Sequence, residues 1–108
     1  MRYELINPSD AIYFEGDFEL AVIGAAIAFL GNGKYGLDDS NGNQVVPIWL
    51  FGGHEEWFRA HETTLDDVLT NKRADVAAFL DTLAYAGERS SMNNIGARAK
   101  AIAEALRK

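Results

Sequence analysis

The sequence predicts an α+β fold: a small, mostly antiparallel sheet packed with about four helices, in a single domain spanning residues 1–108. Three observations carry this. Residues 18–30, FELAVIGAAIAFL, carry no charge after Glu19, and from Leu20 to Leu30 every residue is apolar or Gly. A surface helix would show a polar stripe at 3.6-residue spacing, so this run reads as a buried central helix over 18–30. It falls short of the roughly 20 apolar residues that cross a bilayer. Around it stand short runs rich in β-branched and aromatic residues with turn formers between them, and further on two amphipathic helical patterns.

Residues 2–6 alternate Tyr3 and Leu5 against Glu4, which predicts a short strand. Asn7, Pro8, Ser9 and Asp10 are dense in turn formers, and AIYFE over 11–15 predicts a second strand that Gly16 breaks. Asp17 is placed to cap the central helix, with Glu19 favourable in its first turn. Gly24, Ala25, Ala26 and Ala28 are small enough for neighbouring backbones to approach. Gly31, Asn32 and Gly33 end the helix, because these residues tolerate the left-handed conformation. GNGKYG matches the GxGxxG string, but a dinucleotide fingerprint needs a strand before it and a helix after it; here a helix precedes it and turn residues follow.

Residues 35–38 predict a short strand, and Asn41-Gly42 is a strong hairpin signal. QVVPIWLF over 44–51 is the best strand by residue type; Pro47 cannot donate to a ladder and makes it an edge or a bulged strand. HEEWFRAH over 54–61 predicts a short helix with Trp57 and Phe58 turned inward. Thr63 and Thr64 before Asp66 and Asp67 mark a helix start. Leu65, Val68, Leu69, Val76, Phe79, Leu80 and Leu83 then recur at helical spacing and predict one long helix ending at Tyr85-Ala86-Gly87. Ile95, Ala99, Ile102 and Leu106 mark the core face of a last helix.

At 108 residues and 48% hydrophobic, the chain has the material for one real core. Its net charge of −6 argues against a general nucleic-acid binder, which presents a basic face to phosphates. There is no cysteine, hence no disulfide framework and no thiolate chemistry. MRYELINPSD lacks the apolar core of a signal peptide, and no segment spans a membrane, so a cytoplasmic location is expected.

No catalytic set is legible. His54 and His61 stand two helical turns apart, roughly 10 Å, too far to share a metal without ligands between them, and Glu55, Glu56 and Glu62 read as a solvated face. None of Ser9, Ser40, Ser90 and Ser91 lies in a GxSxG elbow. Asp38/Asp39 and Asp66/Asp67 are sequence neighbours whose side chains diverge. No enzyme activity, metal or cofactor is therefore expected.

The most specific polar constellation is Arg89, Ser90, Ser91, Met92, Asn93, Asn94, Ile95 and Gly96, at the expected start of the last helix. A guanidinium, two hydroxyls and two carboxamides beside free helix N–H groups suit an anion. Arg89, Ser90, Ser91, Asn93 and Asn94 are the candidate ligand residues, with Trp57 as a stacking surface. The structural alternative is that Ser90 or Ser91 is an N-cap, Arg89 pairs with a nearby acid and Gly96 serves helix packing. Trp49, Phe51 and Trp57 likewise have core packing as their alternative.

YELINPSD, the small-residue helix ending in GNGKYG, PIWLFGGHEEWF and RSSMNNIG together resemble small proteins encoded by phages and prophages. Among these the sequence is similar to Thoeris anti-defence proteins, sponges that bind cyclic ADP-ribose signals without cleaving them. The resemblance implies a non-catalytic binding protein for a phosphate-bearing, nucleotide-derived ligand, acting in the host cytoplasm. The acidic charge supports a different expectation, an inhibitor or adaptor that occupies a basic site on a host protein. A small hydrolase using His54 or His61 is the third. The apolar central helix and the strand over 44–51 predict a homo-oligomer.

Overall fold

The computed structural model describes residues 2–6, 11–30, 35–47, 54–89 and 93–108. Among these residues four strands and five helices follow in the order β1 (Arg2–Ile6), β2 (Ala11–Glu15), α1 (Leu20–Leu30), β3 (Gly36–Asp39), β4 (Gln44–Val46), α2 (His54–Ala60), α3 (Leu65–Asn71), α4 (Arg73–Glu88) and α5 (Asn93–Leu106). The architecture is α+β. The sheet is antiparallel throughout, with spatial order β2-β1-β3-β4. Arg2 stands opposite Glu15, Leu5 opposite Leu37, and Leu37 opposite Val46, with an irregularity between Leu37 and Asp38.

The β3–β4 hairpin follows from its turn chemistry. Asp39 Oδ1 accepts from the N–H groups of Asn41 (2.9 Å) and Asn43 (3.0 Å), and Gly42 takes φ 81°, a left-handed value that a Cβ disfavours. The strand expected over 44–51 is described only as Gln44–Val46, and Pro47 falls just beyond its end. Residues 48–53, with Trp49 and Phe51, lie outside the described residues.

α1 is the centre of the molecule. Residues 22–27 and Leu30 are buried, and α2, α3, α4, α5 and β4 all pack against the helix. This one chain thus covers the apolar helix on several sides. The helix begins at Leu20, two residues later than expected. The Glu19 carbonyl accepts from Ile23 N–H at 3.1 Å and the Glu19 carboxylate pairs with Lys72, so Glu19 rather than Asp17 stands at the cap position. Phe18 is drawn off the helical path onto Phe79 of α4, edge to face at 5.0 Å. Gly24 has room for nothing more: a Cβ there would come within 2.2 Å of the Trp57 ring. The space left by this small residue is filled by an indole, where the sequence suggested a neighbouring backbone.

The long helix expected after Thr64 is two helices. Lys72, at φ −133° and ψ 30°, breaks the path between α3 and α4, yet its N–H still bonds Val68 O and its carbonyl accepts from Val76. Thr70 and Asn71 just before it are weak helix formers, and Thr70 Oγ1 bonds back to Asp66 O at 2.8 Å. The break frees Lys72 to reach Glu19 at the head of α1. The apolar periodicity runs unbroken through this point, which is why the pattern alone reads as one element.

α4 and α5 form an antiparallel pair. Arg73 Nε donates to Leu106 O at 2.7 Å, and the Arg107 guanidinium pairs with Asp81 at both oxygens. That hydrogen bond is the main reason Arg107 is held above its ordinary pKa, desolvation acting the other way. At the opposite end Gly96 is buried so closely that a Cβ would lie 3.0 Å from Ala84 O and 3.4 Å from the Gly87 carbonyl carbon. Gly96 therefore serves helix packing, with Gly87 buried opposite it.

Candidate functional site

The corner between α4 and α5 positions the candidate anion site. α4 ends at Glu88 because Arg89, at φ −89° and ψ 3°, leaves the helical path; its N–H still reaches back to Tyr85 O at 3.3 Å. The Arg89 side chain then folds over its own last turn. Nη1 donates to the Tyr85 hydroxyl at 2.6 Å, and the guanidinium carbon lies 5.4 Å from the centre of the Tyr85 ring. The spacing is i, i+4, which places both side chains on one face of α4. Tyr85 is 61% exposed, one of two large hydrophobic residues so presented among the described residues.

Among the described residues Arg89 thus has an aromatic partner, where the structural alternative expects an acid. Asn93 and Asn94 open α5 on the other side of the corner. Ser90, Ser91 and Met92 lie outside the described residues, as do the side chains of Asn93 and Asn94, so the N-cap expected of Ser90 or Ser91 lies outside them as well. In the sequence Tyr85 reads only as part of a helix end; its spacing of four residues from Arg89 is the signal that singles it out.

No protein-family model matches this chain, and no curated protein or solved structure matches it. Its chemistry rests on its own geometry.

Trp57 belongs to a different part of the molecule. It is half-buried on α2, rests on Gly24 of α1, meets Phe58 edge to face at 5.1 Å and stacks on the His61 imidazole at 4.1 Å. His61 Nδ1 lies 2.7 Å from Trp57 O, at the end of the same helix. His54, seven residues earlier, is half-buried and meets Phe58 edge to face at 6.3 Å, so Phe58 and Trp57 stand between the two imidazoles. Among the described residues no group of three or more His, Cys, Asp or Glu side chains is placed to hold a metal. No helix among them is long and apolar enough to cross a membrane.

A concavity of about 370 Å³ opens in the elbow between α2 and α3. His54, Glu55, Phe58, Arg59, Thr63, Thr64, Leu65 and Asp66 line it. In the sequence these residues divide between a solvated acidic face and a helix start, and nothing in their order shows that they line one cavity.

Proposed function

We propose that this chain is a non-catalytic binding protein that sequesters a small, phosphate-bearing, nucleotide-derived signal in the host cytoplasm, as the phage anti-defence sponges it resembles do. The observation that carries this reading is the Arg89–Tyr85 pair. The guanidinium supplies a fixed charge that binds phosphate through paired N–H groups. Its hydrogen bond to the tyrosine hydroxyl holds it in place, so less side-chain freedom is lost on binding. The exposed tyrosine ring offers a flat face for a base. In the sequence Ser90, Ser91, Asn93 and Asn94 follow Arg89 and are the further candidate hydrogen-bonding groups.

The test is a mass spectrum of whatever small molecule leaves the purified protein on denaturation, with calorimetric titration of cyclic ADP-ribose and related nucleotides alongside. A released phosphate compound, or a titration that saturates, is the expected result. If nothing is released and no phosphate compound raises the melting temperature, the reading fails.

One observation favours a second reading, an acidic inhibitor or adaptor of a host protein. Glu55, Glu56, Glu62, Asp66 and Asp67 are all exposed within one segment of a chain of net charge −6. A host protein captured at stoichiometric yield, with no small molecule retained, would decide for it. Either reading is compatible with a twofold assembly through an outer strand. β4 is three residues long and runs into Pro47, which lacks an N–H and blunts that edge, so the five-residue β2 is the better pairing strand.

A further inference from the structure

The cleft in the α2–α3 elbow plays no part in the phosphate reading. One wall is a single helical face: His54, Glu55, Phe58 and Arg59 follow at i, i+1, i+4 and i+5 on α2. Thr63, Thr64, Leu65 and Asp66 make the other wall. The base is apolar, with Phe58 1% exposed, the His54 ring at its edge and Leu65 half-buried.

The elbow is fixed by its own bonds. Glu62 takes φ 59°, a left-handed value that a non-glycine residue adopts only when its surroundings impose it. Thr63 N–H returns to Phe58 O at 3.0 Å, and Thr64 Oγ1 accepts from Asp67 N–H at 3.1 Å. A concavity held this way is preformed, and its volume is at the small end of the roughly 300–1,000 Å³ of small-molecule sites.

The charges around it discriminate between ligand classes. Glu55 and Asp66 are negative and Arg59 is positive; all three are exposed, and none forms an ion pair among the described residues. Glu55 and Arg59 have the i, i+4 spacing at which opposite charges on a helix commonly pair, and here both remain open for other partners. A phosphate dianion would meet two carboxylates and one guanidinium, an unfavourable balance. A ligand carrying both signs a few ångströms apart, on an apolar body, matches every wall.

We propose that the cleft binds a free α-amino acid with an apolar or aromatic side chain. Its carboxylate lies on Arg59, its ammonium between Glu55 and Asp66, and its side chain over Phe58 and Leu65.

The experiment is a titration of isotope-labelled protein followed by amide NMR, with L-phenylalanine as the probe. L-phenylalaninamide lacks the carboxylate and N-acetyl-L-phenylalanine lacks the ammonium. Saturable shifts confined to amides of residues 54–66 are expected with phenylalanine. Each analogue should bind more weakly by about tenfold or more, since each forfeits a charge-assisted hydrogen bond. In Arg59→Gln the preference for phenylalanine over its amide should vanish. In Glu55→Gln/Asp66→Asn the preference over the N-acetyl compound should vanish. These positions are exposed, and an otherwise unchanged spectrum verifies that each variant is folded. Lys100→Gln, on α5, should bind as the unaltered protein does. The absence of any saturable shift at millimolar phenylalanine overturns the proposal, as does equal binding of all three compounds. A response to sugars or nucleosides that exceeds the response to phenylalanine overturns it as well.

Discussion

Gly24 and Arg89 show opposite kinds of residue-level constraint. An alanine at a helix-interior glycine ordinarily gains about 1 kcal/mol of helix propensity. At Gly24 the added methyl would meet the Trp57 ring at 2.2 Å, and overfilling a packed site costs about 1–3 kcal/mol. The clash outweighs the propensity, so Gly24→Ala should lower the urea midpoint with an unchanged m-value and shift the tryptophan emission. An unaltered emission spectrum would mean that Trp57 does not rest on α1. Arg89, by contrast, is exposed, and among the described residues its side chain bonds its own helical turn. Arg89→Ala should leave the melting temperature nearly unchanged while weakening a phosphate ligand on the order of 10- to 100-fold in calorimetry. Tyr85→Ala removes both the ring and the hydroxyl that steadies Arg89, and should weaken binding comparably.

At the scale of elements, two sites decide how the helices meet. Gly96 lets α5 touch the backbone of α4, and backbone cannot step aside as a side chain can. Gly96→Ala should therefore cost about 1–3 kcal/mol in equilibrium unfolding. Thr64 caps α3 and shapes the elbow; Thr64→Ala should cost about 1 kcal/mol. On the amino-acid reading Thr64→Ala should also weaken phenylalanine binding, because the cleft wall loosens. A stability loss without any binding change would make the cap purely structural. Caps, strands and turns of this kind are local, and most were legible: β1, β2 and the Asn41-Gly42 hairpin lie where the residues predicted them. The break at Lys72 is hidden in the pattern, since the apolar periodicity runs through it and only the weak helix formers Thr70 and Asn71 mark the place.

For the whole molecule, α1 changes the argument about assembly. The apolar helix finds cover within its own chain, under α2 to α5 and β4, and so creates no need for a second copy. The remaining reason for association is an outer strand, β2, where Tyr13 is 65% exposed. Light scattering at high micromolar concentration should give the mass of a dimer that survives added salt, because strand pairing involves backbone hydrogen bonds rather than charge. A monomer mass throughout would leave β2 an unpaired edge.

The sequence by itself determined the class of fold and the core. Apolar periodicity, turn residues and the uncharged run over 20–30 are properties of neighbouring positions, and they constrain local conformation and burial directly. It also located Arg89 at a polar corner. The i, i+4 spacing alone carries its pairing with Tyr85, while only the tertiary structure decided what the more distant candidates meet. Tyr85 is separated from Arg89 by one helical turn and becomes its partner because α4 extends to Glu88. Trp57, expected at the same site, is instead held by Gly24, 33 positions away in the chain. The cleft arises where the chain bends at Glu62 and the start of α3 joins one face of α2 in lining it. Partners of this kind are set by the packing of whole elements around α1, and packing depends on shape and on contacts between distant positions that no local pattern of residues encodes.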